Sequence, residues 1–364
     1  MASSSRIEWC DATWNPIVGC SPISAGCANC YAARMAHRLG NNPATPQFDG
    51  LTVDGKWTGK ARVVQSQLNK PLTWPKHKKI FASSMGDLFH HSAYFAWVDL
   101  VFARMILAPQ HTYIILTKRP DRMLQYLQSV KIADLIVASS DAPCDPVPLP
   151  AFPLRNVMLM TTVENQAAAD ARLPPLLECG AMGWRTGVSV EPMLGHVDLR
   201  PYLQSVIHQD EIGLAGREGP LITANGITDH DPWLTGLSWV IAGGETGPGA
   251  RPMHPDWIRS LRDQCAEAGT PFFFKGYGEW GTARIDLRDG LPAWDVFHSF
   301  EHYCAKAPTR MCKGDKLICP DGHVPTSGCK AGKTYPMAII TRIGKRKAGR
   351  LLDGREHNDF PESM

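Results

Sequence analysis

The chain has 364 residues, of which 44% are hydrophobic and 20% are charged, and its formal net charge is +3. These values fit a soluble globular protein with one large domain or two ordinary ones, and they exclude a polycation. No run of about 18 apolar residues occurs, which argues against a membrane span. Eleven cysteines without the apolar core of a signal peptide predict a reducing, cytoplasmic location, where grouped cysteines indicate metal or redox chemistry.

The first chemical motif is a loop over residues 20–30, called here the cysteine loop. Cys20, Cys27 and Cys30 have the spacing C-x6-C-x2-C, and a helix-like run over residues 31–39 follows. Gly, Pro and Ser in this loop do not build a buried face, so we expect the three thiols to meet at one metal centre. A structural zinc site needs four protein ligands. Three cysteines on a cubane iron–sulfur cluster leave one iron open. Two alternatives remain, a zinc site completed by His37 and simple burial of the thiols.

Short apolar runs alternate with helix-like segments up to residue 275. A stretch over residues 14–19 is the candidate strand before the cysteine loop, and helices are predicted over residues 94–109, 121–137 and 255–268. Later strands are predicted at residues 79–82, 112–117, 156–163, 184–190, 237–244 and 271–275. This alternation is typical of parallel strands with crossover helices. The sequence therefore predicts an α/β fold, a partial or complete (β/α) barrel of about six parallel strands.

Polar or small residues follow each predicted strand. In a β/α barrel, the chemistry is found at the carboxyl ends of the strands. Helix caps also place polar residues there, but their repetition at successive strand ends favours a shared site. The residues concerned are the Ser83–Asp87 turn, Lys118 with Arg119, Glu164 with Asn165, Glu191 with Pro192, and Gly243 and Gly244 with Glu245.

The rest of the chain divides into excursions and a C-terminal extension. Residues 138–154 are Pro-rich, and residues 204–236 indicate an inserted loop. We predict a barrel domain over residues 1–280 and a Cys-containing, basic region over residues 281–364. This region holds Cys304, Cys312, Cys319 and Cys329, with His323 between the last two. Either a second metal site or free and buried thiols would account for them. The basic run over residues 342–350 is either a solvated charged surface or a phosphate-binding segment.

Taken together, these motifs resemble the radical S-adenosylmethionine (SAM) superfamily. The more usual superfamily spacing is C-x3-C-x2-C with an aromatic residue before the last cysteine, whereas this chain has a longer first gap and Asn29 at that position. The chain is more similar to a phage-associated family of three-cysteine proteins. The matching stretches are Ser84–Phe89, Leu116–Pro120, Val163–Gln166, Ser189–Pro192, Gly243–Pro252 and Gly349–Arg355. They cover most of the chain apart from residues 138–154, 204–236 and about 290–335.

The resemblance implies a [4Fe-4S] cluster on Cys20, Cys27 and Cys30, with SAM bound at the open iron. One electron, from a donor such as flavodoxin or ferredoxin, would cleave SAM to a 5′-deoxyadenosyl radical, while the protein positions and shields the cofactor. The implied SAM contacts are Ser83, Ser84 and Asp87 for the methionine amino group, Lys118 or Arg119 for the carboxylate, Glu164 or Asn165 for the ribose hydroxyls, and Gly243 and Gly244 for close backbone approach to adenine.

The resemblance also implies modified DNA as the substrate and a host-cell cytoplasm as the location. Similar phage enzymes are implicated in thymine hypermodification, and a radical suits the conversion of an N-linked to a C-linked glycyl group on thymine. We therefore expect an isomerase, with the basic segments Lys76–Lys79 and Lys345–Lys347 near the open mouth of the barrel. One alternative is a DNA repair enzyme similar to spore photoproduct lyase, which the Cys-x2-Cys-Tyr stretch resembles. The others are a zinc-stabilised nucleic-acid-binding protein and a phage interaction protein that uses the barrel as a scaffold.

Overall fold

A computed structural model describes residues 5, 7–140, 142, 152–203, 236–288, 292–325 and 335–362. Most of the predicted excursion at residues 138–154 and almost all of the predicted inserted loop at residues 204–236 lie outside these ranges. Cys329 also lies outside them.

The strands belong to one large parallel sheet and several small antiparallel ones. In chain order they are β1 Ala12–Trp14, β2 Ile17–Val18, β3 Thr52–Val53, β4 Lys56–Trp57, β5 Arg62–Val63, β6 Lys79–Ala82, β7 Thr112–Thr117, β8 Val157–Thr162, β9 Arg185–Val190, β10 Val240–Ala242, β11 Phe272–Phe274, β12 Trp280–Gly281, β13 Val296–Phe297, β14 Lys316–Ile318 and β15 Met337–Arg342.

The helices mostly connect successive strands of the large sheet. They are α1 Tyr31–Gly40, α2 Gln65–Leu68, α3 Phe95–Leu107, α4 Pro120–Ser129, α5 Ile132–Ser139, α6 Gln166–Ala181, α7 Pro255–Glu267, α8 Phe300–Arg310 and α9 Lys345–Ala348. Single 3-10 turns occur at Ala25–Cys27, Pro46–Phe48 and Pro71–Thr73. Among the helices in the described ranges, none combines the length and the apolar character that crossing a bilayer requires.

The large sheet has seven parallel strands in the order β1-β6-β7-β8-β9-β10-β11. It curls into a half-barrel surrounded by helices. The prediction of a partial or complete (β/α) barrel is therefore confirmed in its partial form, with seven strands where about six were expected. All residues of β8 are buried, as expected for parallel strands that are covered on both faces.

The two faces of the sheet form two different hydrophobic clusters, because alternate residues of a strand point to opposite faces. The helix-covered face contributes residues such as Ile80, Ile115 and Leu159 to the main core. The concave face contributes a smaller cluster that includes Phe81, Ile114, Met158, Trp239 and Phe273, with Trp9 packed among them.

The first strand and one helix differ from the sequence prediction. Pro16, which has no N–H to donate, separates β1 from β2, and β2 pairs with β5 instead of joining the large sheet. The single helix predicted at residues 121–137 is two helices, α4 and α5, because the backbone is extended at Val130 and Lys131. The two helices pack against different neighbours, α4 against α6 and α5 against α3.

The chain after residue 280 forms a small antiparallel sheet in which β15 pairs with β12, β13 and β14. Trp280, Ile318 and Ala338 from this region belong to the main hydrophobic core. The chain end then returns to the large sheet, where the amide N of Phe274 donates to the carbonyl of His357 at 2.9 Å. The predicted domain boundary at residue 280 stays a prediction.

Candidate functional site

The cysteine loop lies between β2 and α1, over the carboxyl ends of the strands. Gly19, just before the loop, forms a parallel bridge with Gly86 in the turn after β6, and the amide N of Asp87 donates to the carbonyl of Gly19 at 3.2 Å. Gly19 has φ of +97°, and a Cβ at this position would lie 2.2 Å from the carbonyl oxygen of Lys60. Only glycine therefore fits where the chain enters the loop.

Cys20, Cys27 and Cys30 line one cavity of about 150 Å³, and each is half-buried. The structure thus brings the three cysteines together with the predicted residues from the ends of β6 and β7. These residues are Ser83, Ser84, Asp87, Lys118 and Arg119.

The cavity presents three cysteine thiols, the donor set that would ligate three irons of a [4Fe-4S] cluster. No three His, Cys, Asp or Glu side chains in the described ranges are arranged to hold one metal ion. His37, the fourth ligand in the zinc alternative, does not line the cavity, and its Nδ1 lies 3.3 Å from Oγ1 of Thr52. A structural zinc site needs four protein ligands around one ion. Three thiols distributed around one cavity instead suit a cluster whose irons each take one cysteine.

The fold perturbs the pKa of the Cys20 thiol. Burial, and to a smaller extent Asp87, raises its pKa to about 12, although Arg119 opposes this shift. An isolated thiolate at this position would be costly. Without a metal, Cys20 is therefore the neutral thiol, whereas a coordinated metal would displace its proton.

The turn after β6 has a fixed shape. Ser83 has φ of +59°, is 2% exposed, and its Oγ has no hydrogen-bond partner among the described residues. The carbonyl of Ser84 accepts from the Tyr31 hydroxyl at 2.9 Å. Asp87 accepts from Oγ1 of Thr117 at 2.7 Å. These contacts tie the turn to α1 and β7, so it presents a rigid edge to the cavity.

Lys118 and Arg119, both predicted as partners of a carboxylate, have different environments. Arg119 is buried, and its Nη1 lies 2.6 Å from Oδ2 of Asp87. Burial lowers the pKa of Arg119, but Asp87 and Cys20 outweigh that effect and hold it above its ordinary value. Lys118 lines this cavity and a larger one beside it, and within the described part of the chain it makes no ion pair. The ammonium group of Lys118 is therefore available to a ligand.

Glu164 and Asn165 follow β8, but neither lines the cavity. Glu164 is 1% exposed and accepts from the amide N of Gly26 at 3.3 Å and from Nη1 of Arg172 at 2.9 Å. Burial favours its neutral form, but hydrogen bonds from Ser24 and Arg172 hold the pKa below its ordinary value. Asn165 Oδ1 accepts from a backbone N–H in the first turn of α6 at 3.0 Å. Glu164 thus supports the cysteine loop and Asn165 caps a helix, and their predicted ribose contact stays a prediction.

The larger cavity has a volume of about 310 Å³ and shares Cys30, Tyr31 and Lys118 with the first. Its walls are mainly apolar, and two ion pairs lie among its lining residues. Lys275 Nζ lies 2.7 Å from Glu191 Oε2, and Lys345 Nζ lies 3.2 Å from Glu8 Oε1. Glu191 was expected at a strand end and Lys345 near the mouth of the barrel, but sequence reasoning assigned no role to Glu8 or Lys275. The position of Lys275 at the end of the last predicted strand could have indicated it, whereas Glu8 comes from a distant part of the chain.

Gly243 and Gly244 follow β10, and Gly244 lines the larger cavity. A Cβ on Gly244 would lie 2.1 Å from the carbonyl oxygen of Tyr277, and a Cβ on Gly243 would lie 3.2 Å from Cβ of Lys275. The close approach of the segment after β11 therefore requires glycine at position 244 even without a ligand. The predicted close approach of this backbone to adenine stays a prediction.

Cys304, Cys312 and Cys319 line neither of the two cavities. Cys304 and Cys312 are exposed free thiols, whereas the side chain of Cys319 is buried, and no group of metal-ligating side chains occurs near them within the described residues. Lys345 lies at the larger cavity, as predicted for the mouth of the barrel. The same prediction for Lys76–Lys79 is wrong, because Lys79 begins β6 and so lies at the amino edge of the sheet, opposite the cavities.

Comparison with known proteins gave a family match and several similar structures. The family described as "Protein of unknown function (DUF5131)" matches residues 4–361. No curated protein matches the chain. A cysteine-to-serine mutant of spore photoproduct lyase is 10% identical, with a TM-score of 0.35, covering 94% of this chain and 71% of that one. Spore photoproduct lyase complexed with dinucleoside spore photoproduct is 11% identical, with a TM-score of 0.32, covering 80% and 67%.

Proposed function

The chain belongs to the DUF5131 family, and we propose that it is a radical SAM enzyme related to phage-associated three-cysteine proteins. The observation that carries the proposal is that Cys20, Cys27 and Cys30 line one cavity at the carboxyl ends of the half-barrel strands. A [4Fe-4S] cluster on these cysteines, with SAM on its fourth iron, would supply the electron that cleaves the sulfonium of SAM.

The residues around the two cavities support binding of a charged ligand beside the cysteines. Lys118 lines both cavities, so its ammonium group is placed to bind a carboxylate that lies between them. The rigid turn at Ser83–Asp87 borders the smaller cavity. Trp9, Phe81 and Leu116 line the larger one, and their apolar side chains would exclude water from a reactive intermediate.

Anaerobic reconstitution with iron and sulfide tests this proposal. We expect a brown protein that contains both elements and cleaves SAM, and we expect Cys20→Ala, Cys27→Ala and Cys30→Ala each to abolish the visible absorption and the cleavage. Cys312→Ala is the matched control, because this thiol is exposed and lies outside the cavity. A colourless protein that binds only zinc, or a triple cysteine variant that still cleaves SAM, would show the proposal to be wrong.

For the substrate, we propose a modified thymine in DNA, whose N-linked glycyl group is isomerised to a C-linked one. The supporting observation is the basic helix α9, which places Lys345 at the larger cavity with Arg346 and Lys347 beside it. DNA phosphates would bind such a segment. The target base would have to leave the stack, because the radical cannot reach a carbon inside a duplex.

Salt-dependent binding and product analysis test the substrate. DNA affinity should fall as salt rises, and replacing Lys345, Arg346 and Lys347 by Ala should reduce the slope. Replacing Lys76 and Lys78 by Ala, at the opposite edge of the sheet, should leave the slope unchanged. Nucleoside mass spectrometry should show an isomer of unchanged mass, since a rearrangement adds and removes no atoms. Cleavage of a thymine photoproduct would instead support the DNA repair alternative, and activity only on small metabolites would exclude DNA.

A further inference from the structure

The cysteine loop is held in place by three buried charged side chains, each of which follows a strand of the large sheet. Arg119 follows β7, Glu164 follows β8 and Glu245 follows β10. The loop residues that they contact each adjoin one cysteine: Ser21 follows Cys20, Gly26 precedes Cys27, and Asn29 precedes Cys30.

Arg119 holds the first cysteine. Its Nη2 donates to the carbonyl of Ser21 at 3.0 Å and to the Ser21 hydroxyl at 2.9 Å. Its Nη1 lies 2.6 Å from Asp87 Oδ2 and 3.7 Å from Cys20 Sγ. Arg119 therefore contacts the backbone beside Cys20 and the sulfur of Cys20 itself. The carboxylate contact expected of Lys118 or Arg119 from the sequence resemblance stays a prediction.

Glu164 holds the second cysteine through the amide N of Gly26, which lies 3.3 Å from its Oε1. The approach is close, because a Cβ on Gly26 would lie 3.2 Å from the carboxyl carbon of Glu164. Arg172 fixes the carboxylate from the other side, with 2.9 Å between Nη1 and Oε2. A side chain larger than glycine at position 26 would require the loop or this carboxylate to shift.

Glu245 holds the third cysteine through the side chain of Asn29, whose Nδ2 lies 3.0 Å from Oε2 of Glu245. The same Nδ2 donates to the carbonyl of Gly249 at 2.9 Å. Arg251 pairs with Glu245 through both Nε and Nη2, at 2.8 and 2.6 Å. Hydrogen bonds from Arg251 and Asn29 hold the pKa of Glu245 below its ordinary value, although burial raises it.

Each of the three charged side chains that hold the loop has an oppositely charged partner. Arg119 pairs with Asp87, Glu164 with Arg172 and Glu245 with Arg251. Buried charges that are fully paired are rigid, and breaking one pair leaves an uncompensated charge. None of these contacts needs a metal. Residues that support metal ligands from behind usually orient them and tune the metal, and hydrogen bonds to a ligating sulfur shift the reduction potential of an iron–sulfur cluster.

We propose that Arg119, Glu164 and Glu245 are positioning residues that hold the cysteine loop in its cluster-binding shape before metal binds, and that Arg119 also raises the reduction potential of the cluster through Cys20. The statement about potential rests on the proposed function, because it requires a cluster. The statement about the loop concerns the metal-free protein and does not depend on that function.

Hydrogen exchange of the metal-free protein tests the first statement. The amides of Gly26, Cys27, Ala28 and Cys30, which donate hydrogen bonds in the cysteine loop, should be protected in the unsubstituted protein. They should exchange at least about tenfold faster in Glu164→Ala and Glu245→Ala, the size expected for losing one hydrogen bond to a charged group. The Gln variants keep an acceptor oxygen and should restore part of the protection. Glu191→Ala is the matched control, since Glu191 also follows a strand and pairs with a cation, and no hydrogen bond or ion pair joins it to the loop among the described residues. Fast exchange in the unsubstituted metal-free protein would overturn the proposal.

Redox titration of the reconstituted protein, followed by electron paramagnetic resonance, tests the second statement. Arg119→Ala should give a more negative midpoint potential and faster loss of iron to a chelator, and Arg119→Lys should recover part of both. Ser21→Ala removes the hydroxyl contact but keeps the guanidinium near Cys20, so it should speed the loss of iron without shifting the potential. An unshifted potential in both Arg119 variants would overturn this role. Absence of any cluster in the unsubstituted protein would refute the proposed function and leave the exchange result standing.

Discussion

His90 is a buried side chain that contacts the cysteine loop and whose protonation affects the stability of the fold. It is fully buried, with Nε2 2.8 Å from the Ser21 hydroxyl and Nδ1 2.7 Å from the Ser92 hydroxyl. Burial lowers its pKa to about 4, and the charges of Arg119 and His91 act in the same direction. The neutral imidazole, with one donor and one acceptor nitrogen, is therefore the form that fits between the two hydroxyls.

This pKa predicts a loss of stability in mild acid. Below the unfolded value of 6.5 the unfolded chain binds more protons than the folded one, so the free energy of unfolding falls as pH falls from about 6.5 to about 4. His90→Gln should reduce the decrease between pH 7.5 and pH 5 by about 1–2 kcal/mol, measured by urea unfolding. His111, His254 and His357 also have lowered pKa values and should keep some pH dependence in the variant. An identical decrease in both proteins would contradict the prediction.

At the scale of single elements, α6 depends on its N-cap. Asn165 accepts from the Ala168 amide at the start of this helix, and α6 packs against α4 and the strands β8 and β9. Asn165→Ala should lower the free energy of unfolding by about 1 kcal/mol, and Asn165→Ser should recover most of the loss. Urea unfolding measures both effects.

The same pair of variants separates capping from the predicted ribose contact. If Asn165 only caps α6, the Ser variant should bind SAM to the reconstituted protein as tightly as the unsubstituted chain does. Normal stability with weakened SAM binding in Asn165→Ser would show that the side chain also contacts the cofactor.

At the scale of the whole molecule, the chain end closes the last strand of the half-barrel. The amide N of Asp359 donates to the carbonyl of Phe272 at 3.2 Å, and Nε1 of Trp239 donates to the carbonyl of Asp359 at 2.9 Å. Phe360 packs on Trp239 and Phe273, with ring centroids 5.3 and 5.4 Å away. The tail thus covers the edge of the sheet and one end of the concave cluster.

We therefore expect truncation after residue 356 to destabilise the fold strongly, although it removes only a short segment. It removes at least three hydrogen bonds and an aromatic cluster, and the free energy of unfolding should fall by more than about 3 kcal/mol. Truncation after residue 361 keeps these contacts and serves as the control. Equal unfolding midpoints for the two truncated chains in urea would contradict the packing role of the tail.

The sequence by itself determined the kind of sheet and the edge at which the polar residues gather. Apolar runs such as residues 112–117 and 156–163 correspond to strands that are buried on both faces, because burial on both faces requires continuous apolar side chains. The expectation that functional residues follow the carboxyl ends of strands then identified Lys118, Arg119 and Glu164 as strand-end residues. The sequence suffices for this, because it shows directly which polar residue follows an apolar run.

Only the tertiary structure decided what those side chains contact. Arg119 reaches Ser21 across 98 residues of chain, Glu164 reaches Gly26 across 138, and Lys345 reaches Glu8 across 337. Such pairs depend on the order and curl of the strands. The order and the curl produce no periodic pattern in the sequence close to any of these residues. For the same reason, local periodicity predicted one helix where the structure has two. Helices α4 and α5 are separate because they pack against different helices.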